Sequence, residues 1–273
     1  MSNTLFTEYK PSTVLSPYIQ SYWHGSFNVD GEANISQSVL PNGCIELIIH
    51  TSSDHCSLTR PGADWSKSPE FTLLGLYDKP YEVQFSRPVT VFGIRFFPDG
   101  LRNVFGVAPA EFLGTYEDSN DVLGNSMRDF CEQVRDAGSP SGRVELANSF
   151  ILSQVETHRI DWDYTHLAMQ LIRKCQGTAE YQSLIDQVPI SVRQLQREFK
   201  ALYGITVVDY MRISRMNAIH NYMLSKNRSL TELSHDLQFT DQSHFNREFK
   251  NFVGVAPTKF ARNRESFIMN IAQ

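Results

Sequence analysis

Up to about residue 116, apolar positions come in short runs: Cys44 to Ile49, Phe71 to Leu76, Tyr81 to Phe85 and Val89 to Phe97. Turn residues separate them, at Pro41-Asn42-Gly43, Arg60-Pro61-Gly62, Asp78-Lys79-Pro80, Arg87-Pro88 and Pro98-Asp99-Gly100. Runs this short, with this much Pro and Gly between them, predict the strands of an all-β sandwich or barrel. From Tyr116 the apolar spacing changes to three and four. It predicts helices over Ser126 to Ala137 and Val144 to Thr157, broken at Gly138-Ser139-Pro140-Ser141-Gly142. These two helices suit a connector or packing hairpin, with a dimer interface as one possible use.

After Asp161-Trp162-Asp163 the chain repeats itself at a spacing of 50 residues. Arg197-Glu198-Phe199-Lys200 through Gly204 recurs as Arg247-Glu248-Phe249-Lys250 through Gly254, and six of the sixteen positions from Arg197 to Arg212 match. About one would match by chance at average residue usage. Upstream the offset becomes 49, pairing Leu184 with Leu233, Val188 with Leu237 and Ile190 with Phe239. Two copies are too few for a solenoid and predict a two-lobed module.

Each copy reads as helix, tight turn, helix. Ser229-Leu230-Thr231-Glu232 and Ser191-Val192-Arg193-Gln194 have the form of capping boxes, and Thr240 or Asp241 caps the last helix. The helix after Ser191 is expected to bury Val192, Leu195, Phe199 and Leu202. Its other face carries Arg193, Gln196, Arg197 and Lys200; the matching face of the second copy carries Gln242, Ser243, His244, Asn246, Arg247 and Lys250. A helix that is cationic and amide-rich on one side fits a DNA major groove, because arginine pairs with guanine and glutamine with adenine in bidentate fashion. Between the copies, Thr206 to Lys226 predicts one long helix. Some 20 residues at about 1.5 Å each span about 30 Å, near the roughly 34 Å of one duplex turn.

Charge sharpens this picture. From Thr165 onward lie 14 of the 25 Lys+Arg but only 9 of the 30 Asp+Glu, so that part carries +5 and residues 1–164 carry −10. A basic segment joined to an acidic one suggests a polyanion-binding module, although chance segregation of surface charge would look the same. No run approaches the roughly 18 apolar residues of a membrane helix, and the start lacks a basic stretch followed by an apolar one. The four cysteines, Cys44, Cys56, Cys131 and Cys175, form no CxxC pair. The expectation is a cytoplasmic protein of 273 residues with no membrane association.

Arg215-x-x-Ala218, Ser229-Leu230-x-Glu232-Leu233, the stretch from Phe239 to Lys250 and Gly254-Val255-Ala256-Pro257 together resemble the signature of AraC/XylS-family transcription regulators over about residues 165 to 262. The chain departs from it at Gln187-Val188-Pro189-Ile190, where the family often has glycine, and at Ser234, where alanine is usual. The resemblance implies a bacterial regulator with two helix-turn-helix subdomains on a linker helix. Arg193, Gln196 and Arg197 would read bases in one groove, and Gln242, Ser243, His244 and Arg247 in the other, with double-stranded DNA and RNA polymerase as partners and a homodimer possible.

Tyr9-x-Pro11-Ser12, Leu15-x-Pro17-Tyr18-Ile19-x-x-Tyr22-Trp23, Pro41-Asn42-Gly43-Cys44-x-Glu46 and Gly93-Ile94-Arg95-Phe96-x-Pro98-x-Gly100 resemble a cupin-like domain of unknown function found ahead of such modules. The fold class expected is therefore α+β: a cupin-like β-barrel over 1–116 as sensor, a helical connector over 117–162, and an all-α double helix-turn-helix module over 163–273. Trp23, Glu46 and Arg95 are the candidate ligand-binding residues, with Glu46 and Arg95 expected to pair across adjacent strands. His50, His55 and Cys56 match no compact metal motif, and no catalytic triad can be assembled from spacing. No metal, cofactor or catalytic residue is therefore assigned. Two other readings stay open: a cupin-type enzyme whose helical repeat mediates protein association, and a regulator whose barrel is only a scaffold.

Overall fold

The computed structural model describes residues 4–29, 34–59, 63–158, 163–224, 241–263 and 267–268. The first helix of the second repeat copy, with its predicted capping box at Ser229 and apolar Leu230, Leu233 and Leu237, lies outside the described residues.

The strands are β1 (Thr4–Tyr9), β2 (Ile19–Phe27), β3 (Ile35–Val39), β4 (Ile45–His50), β5 (Ser57–Thr59), β6 (Ser66–Lys67), β7 (Phe71–Leu74), β8 (Tyr81–Phe85), β9 (Val89–Phe96) and β10 (Tyr116–Asp118). They form two antiparallel sheets: six strands in the order β1-β2-β9-β4-β7-β10, and β3-β8-β5-β6. Period-two alternation gives the larger sheet two buried faces. Glu46, Ile48 and His50 of β4 face the space between the sheets, and Ile45, Leu47 and Ile49 face away. The inward side is an aromatic core of Trp23, Phe27, Phe85 and Tyr81 with Val39, Val83 and Val91. Gly93 stands opposite Trp23 in the register of β2 with β9, and the indole lies so close across it that a Cβ would come within 2.0 Å.

The outward side carries α1 (Pro98–Phe105), α2 (Ser119–Leu123), α3 (Ser126–Asp136) and α4 (Pro140–His158). Met127, Phe130, Val134, Ala147 and Ile151 share one core with the sheet, and the Tyr22 hydroxyl donates to Asn148 of α4 at 3.0 Å. The predicted connector is thus a covering layer of the sheet. One expectation needs correcting: Pro98-Asp99-Gly100 is the first turn of α1 rather than a loop. Proline is tolerated at the start of a helix, where its missing N–H would have no intrahelical acceptor.

The remaining helices are α5 (Tyr164–Lys174), α6 (Tyr181–Ile185), α7 (Val192–Tyr203), α8 (Val207–Leu224), α9 (Gln242–Val253) and α10 (Pro257–Arg262). α5 docks on α1 through Asp99, which has no exposed surface. Arg173 donates to it at 2.6 and 3.2 Å, and His166 Nδ1 also meets it. Burial alone would raise the Asp99 carboxyl, but the His166 hydrogen bond and Arg173 outweigh it and hold it below its ordinary value. The Arg173 guanidinium lies 4.2 Å above the Phe97 ring, and Arg102 pairs with Asp163 at 2.8 Å. A short strand, β11 (Phe267–Ile268), pairs in parallel with β3 and extends the second sheet, while Phe267 packs on Phe260 at 4.8 Å. No sequence pattern foretold it.

Candidate nucleic-acid interface

Both candidate reader helices are bounded by the same devices. The Ser191 side chain accepts from the backbone N–H of Gln194 at 3.3 Å and starts α7; the Asp241 carboxylate accepts from that of His244 at 2.7 Å and starts α9. The capping box expected at Ser191 is only half made, because the Gln194 amide reaches along the helix to Glu198 at 3.0 Å. Each helix ends on a glycine in the left-handed region, Gly204 at φ 76° and Gly254 at φ 84°, whose N–H returns to the carbonyl of Lys200 or Lys250.

Exposure in the two copies agrees position by position. Residues 191, 192, 193, 196, 197 and 200 are exposed, and so are 241, 242, 243, 246, 247 and 250. Leu195 and Phe199 are buried, like Phe245 and Phe249. Nine of the ten candidate DNA-contacting side chains therefore face outward: Arg193, Gln196, Arg197, Lys200, Gln242, Ser243, Asn246, Arg247 and Lys250. His244 is half-buried, set at the edge of the face by its position directly before Phe245. Val192 is exposed instead of buried, because the first residue of the helix projects beyond the core. Leu202 is half-buried, and Tyr203 fills the inner place, its hydroxyl 3.1 Å from Thr165 Oγ1.

Neighbouring side chains hold this surface. Gln196 Nε2 donates to the Tyr181 hydroxyl of α6 at 2.7 Å, and Arg197 lies 3.5 Å from Glu198. Arg212 of α8 pairs with Glu248 of α9 at 2.7 Å. Arg215 donates to the Gly177 carbonyl at 3.0 and 2.9 Å and fixes the turn after α5 to the linker helix, while Ala218 is buried beside it. The 18 residues of α8 span about 27 Å at ~1.5 Å per residue.

The candidate pocket residues Trp23, Glu46 and Arg95 lie together, and they saturate one another. Arg95 Nε donates to Glu46 Oε1 at 3.1 Å, Trp23 Nε1 donates to Glu46 Oε2 at 3.1 Å, and Arg95 also meets Glu8. Burial works against the Arg95 charge, but Glu46 and Glu8 outweigh it and keep the guanidinium protonated. The lumen beside them has a cavity of about 50 Å³, the scale of a water or two rather than a metabolite. A larger cleft of about 670 Å³ separates the barrel from α5 and α8; Asn42, Gly43, Phe97, Arg173, Tyr210 and Asn217 contribute to its walls.

His50 and Cys56 are in contact within the lumen, at 3.5 Å from Nε2 to Sγ. His50 Nδ1 lies 3.1 Å from the Glu70 carbonyl, which can only accept, so Nδ1 carries the proton and Nε2 accepts. Burial lowers His50 to about 4 and pushes the Cys56 thiol up to about 11. The pair is neutral, unlike the thiolate–imidazolium pair of a cysteine nucleophile. Among the described residues no three His, Cys, Asp or Glu side chains are grouped to hold a metal ion, and no helix is long and apolar enough to cross a membrane.

Two family descriptions match the chain: a domain of unknown function (DUF6597) over residues 7–118, and a helix-turn-helix domain over residues 184–263. The chain is 24% identical over 88 residues to the HTH-type transcriptional activator RhaS of Escherichia coli O157:H7, covering 32% of each. It thus spans about a third of the length of the curated relatives it matches. Its fold is similar to solved structures of ToxT from Vibrio cholerae strain SCE256. A ligand-free variant superposes with a TM-score of 0.50 at 10% identity, over 88% of this chain and 97% of that one. The wild-type protein bound to an unsaturated fatty acid also gives 0.50, at 9% identity, over 94% and 99%.

Proposed function

We propose that the chain is a sequence-specific DNA-binding transcriptional regulator of the AraC type, on the premise that residues 184–263 match a helix-turn-helix domain. The observation that carries the proposal is the matched pair α7 and α9, each capped, closed by a glycine, and polar on the same outward positions. Arg193, Gln196 and Arg197 read bases in one major groove; Gln242, Ser243 and Arg247 read the next, with His244 and Asn246 at the border. Lys200 and Lys250 meet the flanking phosphates, which position the protein without specifying sequence. We assign no catalysis, a cytoplasmic setting, and RNA polymerase and a second copy of the chain as further partners.

The test is a fluorescence-anisotropy titration against duplex DNA carrying a selected site, repeated over a range of salt. The wild type gives a steep salt slope, and Arg197→Ala and Arg247→Ala each weaken specific binding by about 1–3 kcal/mol per lost base contact. Unchanged affinity in both variants overturns the assignment.

The amino-terminal half takes the sensing role, with a small molecule as effector. Its saturated Trp23–Glu46–Arg95 network reaches the linker helix in two steps. Asn42 Nδ2 donates to Glu46, and the Asn42 carbonyl accepts from Asn217 Nδ2 of α8 at 2.5 Å. A ligand that disturbs this network shifts the linker, and it regulates only through different affinities for two arrangements. The small lumen favours a second reading, a scaffold that holds the reader module without any effector. A thermal-shift screen with metabolites separates the two: a concentration-dependent rise in melting temperature supports the sensor.

A further inference from the structure

We propose that Tyr181 is a positioning residue that orients the Gln196 amide and makes the first lobe selective for adenine at one base position. The inference rests on the DNA-reading function proposed above and names a determinant of its specificity.

Gln196 stands on the exposed face of α7, and its Nε2 donates to the Tyr181 hydroxyl of α6 at 2.7 Å. A glutamine amide offers two N–H donors and one carbonyl acceptor. With one donor engaged by the phenol, one N–H and the carbonyl oxygen remain. Those are the complements of the N7 acceptor and N6–H donor that adenine shows in the major groove. An exposed glutamine is otherwise at liberty to turn its amide over. It can then offer an N–H to guanine O6 or N7, or its oxygen to the cytosine amino group. In this structure the phenol oxygen accepts from Nε2, which holds the amide with its nitrogen toward α6 and leaves the second N–H and the oxygen for the base. α6 is anchored by buried Leu184 and Ile185, so the anchor is itself held.

The second copy lacks this arrangement in its sequence. At the matching positions it has Leu230, which carries no polar side-chain atom, and Asn246, one methylene shorter than glutamine. Sequence selectivity at this base is thus particular to the first lobe.

The experiment selects binding sites from a library of duplexes with a randomised core, using the full chain as wild type, Gln196→Ala, Tyr181→Phe and the double variant. The position at which Gln196→Ala loses adenine preference identifies the base read by Gln196. Tyr181→Phe is expected to lower adenine preference there by about 2- to 10-fold, the scale of immobilising one flexible side chain, and to leave other positions and the salt slope unchanged. In the Gln196→Ala background Tyr181→Phe adds nothing. Damage to folding would instead depress all positions and persist in that background, which overturns the inference, as does an unchanged adenine preference in Tyr181→Phe. If the wild type selects sites but Gln196→Ala alters no position, this inference alone fails. If the wild type enriches no sequence at all, the DNA-reading function fails and takes the inference with it.

Discussion

His50, 1% exposed, gives the fold a specific response to acid. Its ring is neutral in the native state because burial lowers it to about 4, whereas in the unfolded chain it titrates near its ordinary 6.5. Between those values the unfolded chain binds one proton that the fold does not. Stability therefore falls on acidification, by about 1.4 kcal/mol per pH unit through this window. Melting temperatures measured from pH 7 to pH 4.5 should drop along this limb, and His50→Gln should flatten it by about one proton's worth. Single residues were legible in the sequence when their partners lay on neighbouring strands at a readable register. Glu46 and Arg95 face each other across β4 and β9, as their positions suggested. Asp99, Arg215 and Tyr181 were not legible in this way. Their partners lie 67 and 74, 38, and 15 residues away, and only tertiary packing brings them within reach.

The candidate reader helices show what local chemistry can specify. Serine before Val192 and glycine after Tyr203 mark the ends of α7 in the sequence, and the structure places a cap at each. Replacing Ser191 by alanine leaves an N–H of the first turn without its side-chain acceptor and should cost about 0.5–2 kcal/mol. Chemical denaturation followed by circular dichroism would register it as a lower midpoint with an unchanged slope. Elements with weaker signals escaped. Pro98-Asp99-Gly100 has the chemistry of a turn, and only the buried Leu101 and Val104 that follow reveal a helix. β11 is two residues long and exists through its pairing with β3, so nothing in its own composition could announce it.

At the scale of the molecule, the first lobe is bolted to the barrel through a buried charge cluster. Asp99→Asn removes the carboxylate and leaves Arg173 without its buried counter-charge, a loss of about 3–5 kcal/mol for a broken buried pair. Hydrogen exchange should then quicken in 98–105 and 164–174 while α9 keeps its protection. Acid should act in the same direction: the folded Asp99 value lies below the unfolded one, so the contribution is whole above about pH 4 and is lost as pH falls through the folded value. The gross architecture was legible because apolar periodicity and duplication are written along the chain. The docking was not, since it depends on which surfaces meet. The unlike faces of α7 and α9 carry one last implication. Arg193 and Gln196 occupy the places that Ser243 and Asn246 hold fifty residues on, so under the DNA-reading function proposed above a site that suits both is no palindrome. A single bound chain then has a heading on the duplex, and reversing its site would turn the barrel from upstream to downstream.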